Sequence, residues 1–278
     1  MGDEGKDTPA YIHGSSPEEQ ERLSLLNSIL NTACLAEMNL MQGARILDLG
    51  SGLGQFTGLM AEAVGAGAHV LGIERDPRQI KAARDLAKTS GATNVEFREG
   101  DAMALPLKGS EWGAFDVAHA RFLLEHTPHP ELVVDQMARA VRPGGRVILC
   151  DDDHGDFRPW PEPPGFSSLW AAYVAGFRAN GCDPFVGRRL VSLLSDAGLR
   201  PVRNGGVFFG GCKGDDKFDA TAANLIAAFR GAKDAMLSGG ALTDADFTTS
   251  MDALLEWKDN AASALWYSAC FAEAVVPD

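Results

Sequence analysis

A carboxylate followed by three glycines at alternate positions can hold a ligand. Asp48, Gly50, Gly52 and Gly54 have this spacing in "ILDLGSGLGQFTG" (residues 46–58), with Ser51 between the first two glycines. Glycine lets a backbone pass close to a bound molecule where any Cβ would collide. A carboxylate at a strand end can fix a cationic amine, directly or through water. A dinucleotide loop needs GxGxxG. Counted from Gly50, the third glycine falls on Gln55; counted from Gly52, it falls on Thr57. The spacing therefore suits an amino-acid moiety better than a pyrophosphate.

Histidines offer proton-transfer chemistry. His119, His126 and His129 lie at or just after one apolar segment, and His154 follows another. His154 is the first candidate base, because it sits in a polar run at the end of its segment; His126 is the second. "DDDH" (151–154) also has donors that suit hard cations. Consecutive residues of an extended chain point to opposite faces, so all four cannot converge, and no metal is expected. Beyond it lie Phe157, Trp160, Phe166, Trp170, Tyr173, Phe177 and Phe185. Trp160, Trp170 and Tyr173 are the candidates for lining a small, partly apolar substrate pocket.

The elements that must position these groups alternate. Strands are predicted at 44–50, 69–74, 95–101, 115–120 and 146–151. Helices are predicted between them, over about 55–64, 77–90 and 130–141. Asp76, Pro77 and Gly91 supply cap, first turn and stop for the second of these helices. This order predicts an α/β fold, with a mostly parallel sheet covered by helices on both faces. Ligands then bind at the carboxyl ends of the strands. Ahead of the sheet, "SSPEEQERLSLLNSIL" predicts a helix with Ser16 and Glu19 as a capping box and a stripe of Leu23, Leu26 and Leu30. The proline-rich run 152–170 predicts a rigid loop. Helices follow at 169–178 and 187–197, a strand at 200–211, helical residues at 216–258 broken at "SGGALTD", and a last strand at 264–276.

Taken in order, these segments resemble the class I S-adenosylmethionine-dependent methyltransferases. "DLGSGLG" resembles that family's first motif, "LGIERD" its second, "EGDAMALPL" its third, "FDVAHARFLLEH" its fourth, and "RPGGRVIL" the turn before the fifth strand. The resemblance covers residues 44–151. It implies a Rossmann-like seven-stranded fold with S-adenosyl-L-methionine as cofactor. It also implies that Glu74, next to Arg75, binds the ribose hydroxyls, that Asp101 accepts from the adenine amino group and that the Ala102 amide meets a ring nitrogen. The flanks "YIHGSSPEEQERL" and "DDDHGDFRPWPEPP" resemble a branch that methylates small molecules. From it Tyr11, in an N-terminal lid, and Arg121 carry over as cofactor contacts near the methionine end. The expected organisation is a lid and helix over 1–40 and a methyltransferase domain over 41–278, with insertions at about 152–198 and 215–262.

Composition narrows the partners. A formal net charge of -13 repels a phosphate backbone, and no apolar run is long enough to span a membrane. The expected partner is a small-molecule acceptor, with neither nucleic acid nor membrane involved and the chain acting as monomer or homodimer. Five scattered cysteines without a CxxC pair predict reduced thiols, and the polar start "MGDEGK" carries no signal-peptide pattern, so a cytoplasmic protein is expected. Two other classes remain open: a non-catalytic S-adenosylmethionine binder and a nicotinamide oxidoreductase. The failed glycine spacing disfavours the latter, as does the absence of a Tyr-x-x-x-Lys pair: Tyr11, Tyr173 and Tyr267 are followed four residues later by Ser15, Phe177 and Phe271.

Overall fold

Strand periodicity and helix caps produce the alternation that the chain predicts. The computed structural model describes residues 17–278, so Tyr11, His13 and Ser16 lie outside the described residues. The strands are β1 (Arg45–Leu49), β2 (His69–Glu74), β3 (Val95–Glu99), β4 (Phe115–Arg121), β5 (Val141–Asp151), β6 (Arg158–Trp160), β7 (Arg200–Phe208), β8 (Gly211–Cys212), β9 (Ala264–Trp266) and β10 (Ser268–Val275). The helices are α1 (Pro17–Met38), α2 (Gln55–Val64), α3 (Pro77–Ser90), α4 (Pro130–Ala140), α5 (Phe166–Ala179), α6 (Leu190–Asp196), α7 (Asp216–Gly231), α8 (Lys233–Ser238) and α9 (Asp244–Asp259).

Seven strands form the main sheet in the order β3-β2-β1-β4-β5-β10-β7. The first five run parallel, and β10 lies antiparallel between β5 and β7. Alternation along β1 divides the core. Ile46 packs on the side of α1, α2 and α7, whereas Leu47 and Leu49 pack on the side of α4 and α6. Asp48 shares the face of Ile46. The end caps follow the sequence logic: Asp76 accepts from the Arg78 amide, Pro77 opens α3, and Gly91 closes it at φ 73°.

Some boundaries differ from expectation. The segment 264–276 is two strands, because Tyr267 breaks the ladder and its carbonyl accepts from the Phe209 amide. Only β10 joins the main sheet; β9 pairs with β6 and β8 in a small second sheet. The run 152–170 therefore holds a short strand, and α5 starts at Phe166. The stripe on α1 is buried from Leu30 through Cys34 to Met38, with Leu26 partly covered. Glu19 pairs with Arg22 at 2.6 Å.

One surface ion pair makes a pH-dependent contribution to this fold. Arg98 on β3 grips Glu111 with two hydrogen bonds of 2.8 and 3.1 Å and holds its carboxyl down at about 2, from an ordinary value of 4.5. The folded value is depressed, so the contribution is full above the unfolded value and is lost as pH falls from about 4.5 toward 2. The difference in unfolding free energy between the native chain and Glu111→Gln should shrink over that interval, measured by urea denaturation. A difference that stays constant through it would contradict the pairing.

Candidate functional site

The carboxyl ends of β1, β2, β4 and β5 open into one cavity of about 470 Å³, roofed by α1 and α7. At one end lies the glycine loop. The Gly50 and Ser51 amides donate to the Ile73 carbonyl at 2.9 and 3.0 Å, which ties the loop to β2. Gly52 takes φ 54°, a left-handed conformation that favours glycine, and its amide donates to Glu74 Oε2 at 3.0 Å. The other Glu74 oxygen accepts from the Arg75 and Asp76 amides at 2.8 and 2.9 Å. Glu74 is thus fixed as an acceptor at the end of β2. Asp101 is oriented in the same way by the Met103 amide at 2.8 Å.

Asp48 reaches the cavity, but both its oxygens are already engaged. Thr57 Oγ1 donates to one at 2.6 Å, and His119 Nδ1 lies 2.8 Å from the other. The carboxylate therefore ties β1 to α2 and β4. Arg121 lies over the Phe56 ring at 4.1 Å and donates to Asn27 and Asn31 of α1 at 2.6 and 2.8 Å. This links the roof to the end of β4.

The opposite end of the cavity is aromatic with a polar floor. Asp151 is fully buried, and its oxygens accept from the amides of Leu123, Leu124 and Glu125. That capture holds the turn 124–126 against the end of β5. Glu125 Oε2 then lies 3.0 Å from His154 Nε2, and the Tyr267 hydroxyl lies 3.4 Å from His154 Nδ1. The His154 ring sits between Trp170, Tyr173 and Phe177, with centroids 5.0 to 5.5 Å away, and the Trp170 indole donates to the His154 carbonyl at 2.8 Å. Burial pushes the Glu125 carboxyl up to about 8 and lowers His154. Burial also holds His126, stacked on Phe177, down at about 3. Asp152 lines the same floor and is raised by burial. Alternation sends Asp153 away, to Arg188 at 2.6 Å.

Residues 40–162 match the family model described as "Methyltransferase domain". The chain is 34% identical over 162 residues to demethylmenaquinone methyltransferase of Lactococcus lactis, a match covering 58% of this chain and 59% of that protein. In fold, it is similar to a SAM-dependent methyltransferase from Aquifex aeolicus (21% identity, TM-score 0.52, covering 69% of this chain and 92% of that one). It is also similar to the [4+2]-cyclase SpnF (18% identity, TM-score 0.56, covering 98% and 99%). Residues 40–162 form a class I methyltransferase domain.

Within and beside this methyltransferase domain, Asp48, Gly50, Ser51, Gly52, Glu74, Arg75, Asp101, Ala102 and Arg121 all line the cavity. So do His126, His154, Trp170 and Tyr173. Two candidates do not. Trp160 is 69% exposed, because the three residues of β6 alternate and only Pro159 faces inward. Gly54 sits beneath the loop at φ 76°, where a Cβ would lie 2.6 Å from the Phe97 ring and 2.8 Å from Ala83. Tyr11 lies outside the described residues. Sequence reasoning missed Glu125, Asp152 and Tyr267 as lining groups. For Asp152 a signal existed, since positions 152 and 154 share a face; Glu125 and Tyr267 arrive through tertiary structure alone.

Gly54 carries a stability prediction for the methyltransferase domain. Gly54→Ala should cost about 2 kcal/mol from overpacking and the left-handed backbone together. Urea denaturation measures this, and a change below about 0.5 kcal/mol, the range of ordinary surface substitutions, would contradict the packing role.

Proposed function

We propose that this chain is an S-adenosylmethionine-dependent methyltransferase acting on a small, partly apolar acceptor that carries a hydroxyl or amine. One observation carries the reading: a single cavity joins the acceptors Glu74 and Asp101 at one end to an aromatic box with a polar floor at the other. Glu74 takes the two ribose hydroxyls, since its carboxylate can accept from both. Asp101 and the Ala102 amide take the adenine edge. Gly50, Ser51 and Gly52 allow the methionine moiety to lie close to the backbone. The remaining lone pairs of Asp48 and the Arg121 guanidinium face its charged end.

The acceptor lies between Trp170 and Tyr173, with its heteroatom at His154 and Glu125 rather than at His126. Its lone pair attacks the methyl carbon, the carbon–sulfur bond breaks, and the electron pair stays on sulfur. The sulfonium is already activated, so the protein supplies mainly proximity and orientation. The name of the matched relative supports an apolar ring-bearing acceptor. The cyclase among the fold neighbours supports a second reading, a domain that binds the cofactor without transferring its methyl group.

Calorimetry with S-adenosylhomocysteine tests the cofactor assignment. Binding is expected, NADH should not bind, and Glu74→Ala should weaken S-adenosylhomocysteine at least tenfold, about 1.4 kcal/mol. An unchanged affinity in Glu74→Ala would contradict the ribose role. Label transfer from S-adenosylmethionine to small phenols, amines and carboxylates then separates an enzyme from a binder: transfer to none of them would favour the second reading.

A further inference from the structure

We propose that Glu125, Asp152 and His154 form a binding site for one divalent cation of the Mn²⁺ to Zn²⁺ series at the floor of the acceptor pocket. An oxygen from each acid and a nitrogen of the imidazole all lie within 4.8 Å of one another. The three come from two elements that Asp151 clamps together: Glu125 from the turn after β4, and Asp152 and His154 from alternate positions after β5. The four consecutive residues 151–154 do not converge, because Asp151 and Asp153 are directed elsewhere. Asp152 and His154 share a face.

A second observation points to a ligand. Asp152 Oδ1 is buried and has no hydrogen-bond partner among the described residues. An unpaired buried acceptor is costly, and a cation would satisfy it. The neighbouring cations are engaged elsewhere: Asp153 has taken Arg188, Arg121 is held by α1, and Arg22 pairs with Glu19. Metal–oxygen and metal–nitrogen bonds of about 2.0–2.2 Å bridge ligand atoms up to about 4.2 Å apart, so side-chain shifts on the order of half an ångström close the site. The mixed oxygen and nitrogen donors fit first-row divalent ions better than Ca²⁺ or Mg²⁺. The Tyr267 hydroxyl behind the imidazole supplies the outer hydrogen bond that such histidines use.

The chemical role of this cation rests on the methyltransferase reading; its binding does not. The acceptor hydroxyl enters as a further ligand and loses its proton to water. Its oxygen then attacks the methyl carbon, forming the oxygen–carbon bond as the carbon–sulfur bond breaks and the pair stays on sulfur.

The test uses the full chain, stripped with chelator and titrated with Mn²⁺ under electron paramagnetic resonance. One tight Mn²⁺ per chain is expected, displaced by Zn²⁺ and showing coupling to one imidazole nitrogen in the pulsed spectrum. Asp152→Asn and Glu125→Gln should each weaken it at least tenfold, and His154→Ala should abolish the nitrogen coupling. Retained S-adenosylhomocysteine binding reports that the variants are folded. No stoichiometric Mn²⁺ in the native chain, or equal binding in folded variants as on a merely acidic surface, would overturn the site. A native chain that binds S-adenosylhomocysteine but no metal removes the cation and leaves the methyltransferase reading standing. Metal binding without S-adenosylhomocysteine binding would support the cation site and overturn its role in methyl transfer.

Discussion

The aromatic end of the cavity depends on the buried carboxyl group of Asp151. Its oxygens take three consecutive backbone amides from the turn after β4. Burial raises this carboxyl well above the usual carboxylate range, and leaving a buried acceptor or amide unpaired costs about 1–3 kcal/mol, which favours keeping these bonds made. The capture turns two neighbouring strand ends into one rigid wall. Glu125 is carried to His154, His126 is laid on Phe177, and the following residues of β5 alternate from that fixed point. Without this clamp the polar floor would be spread over two independent loops.

A similar principle operates at the glycine-loop end of the cavity. Asp48 binds Thr57 and His119, and Glu74 binds three backbone amides. Each acidic group is oriented before any ligand arrives, which lowers the entropy cost of binding. The two ends share the roof of α1 and α7. Arg22 pairs with Glu19 and donates to Asn224, while Arg121 reaches Asn27 and Asn31, so the roof is hydrogen-bonded both to itself and to the sheet. The geometry of the cavity thus belongs to the fold core and to the helices added around it.

Much of this was legible in the chain because local rules suffice for it. Asp48, Glu74 and Asp101 stand at the ends of apolar runs, and a parallel sheet brings such ends together. The α3 caps follow from side-chain chemistry within three residues. Other features depend on pairings between distant segments. Trp160 turned outward because β6 pairs with β9, more than one hundred residues later. Tyr267 entered the site because the last strand divides at that residue. Gly54 does not line the cavity, and Phe97, from another strand, fills the space where its side chain would be. Glu125 needed the Asp151 clamp, which no spacing rule encodes.

In the proposed function, one cavity holds the cofactor at Glu74 and points its sulfur at the Glu125–His154 floor. A crystal structure of the chain with S-adenosylhomocysteine tests this most directly. Ribose hydroxyls are expected on the Glu74 carboxylate, adenine beside Asp101, and the sulfur facing His154 across the space beside Trp170. Ligand density elsewhere, or a sulfur turned away from His154, would contradict it.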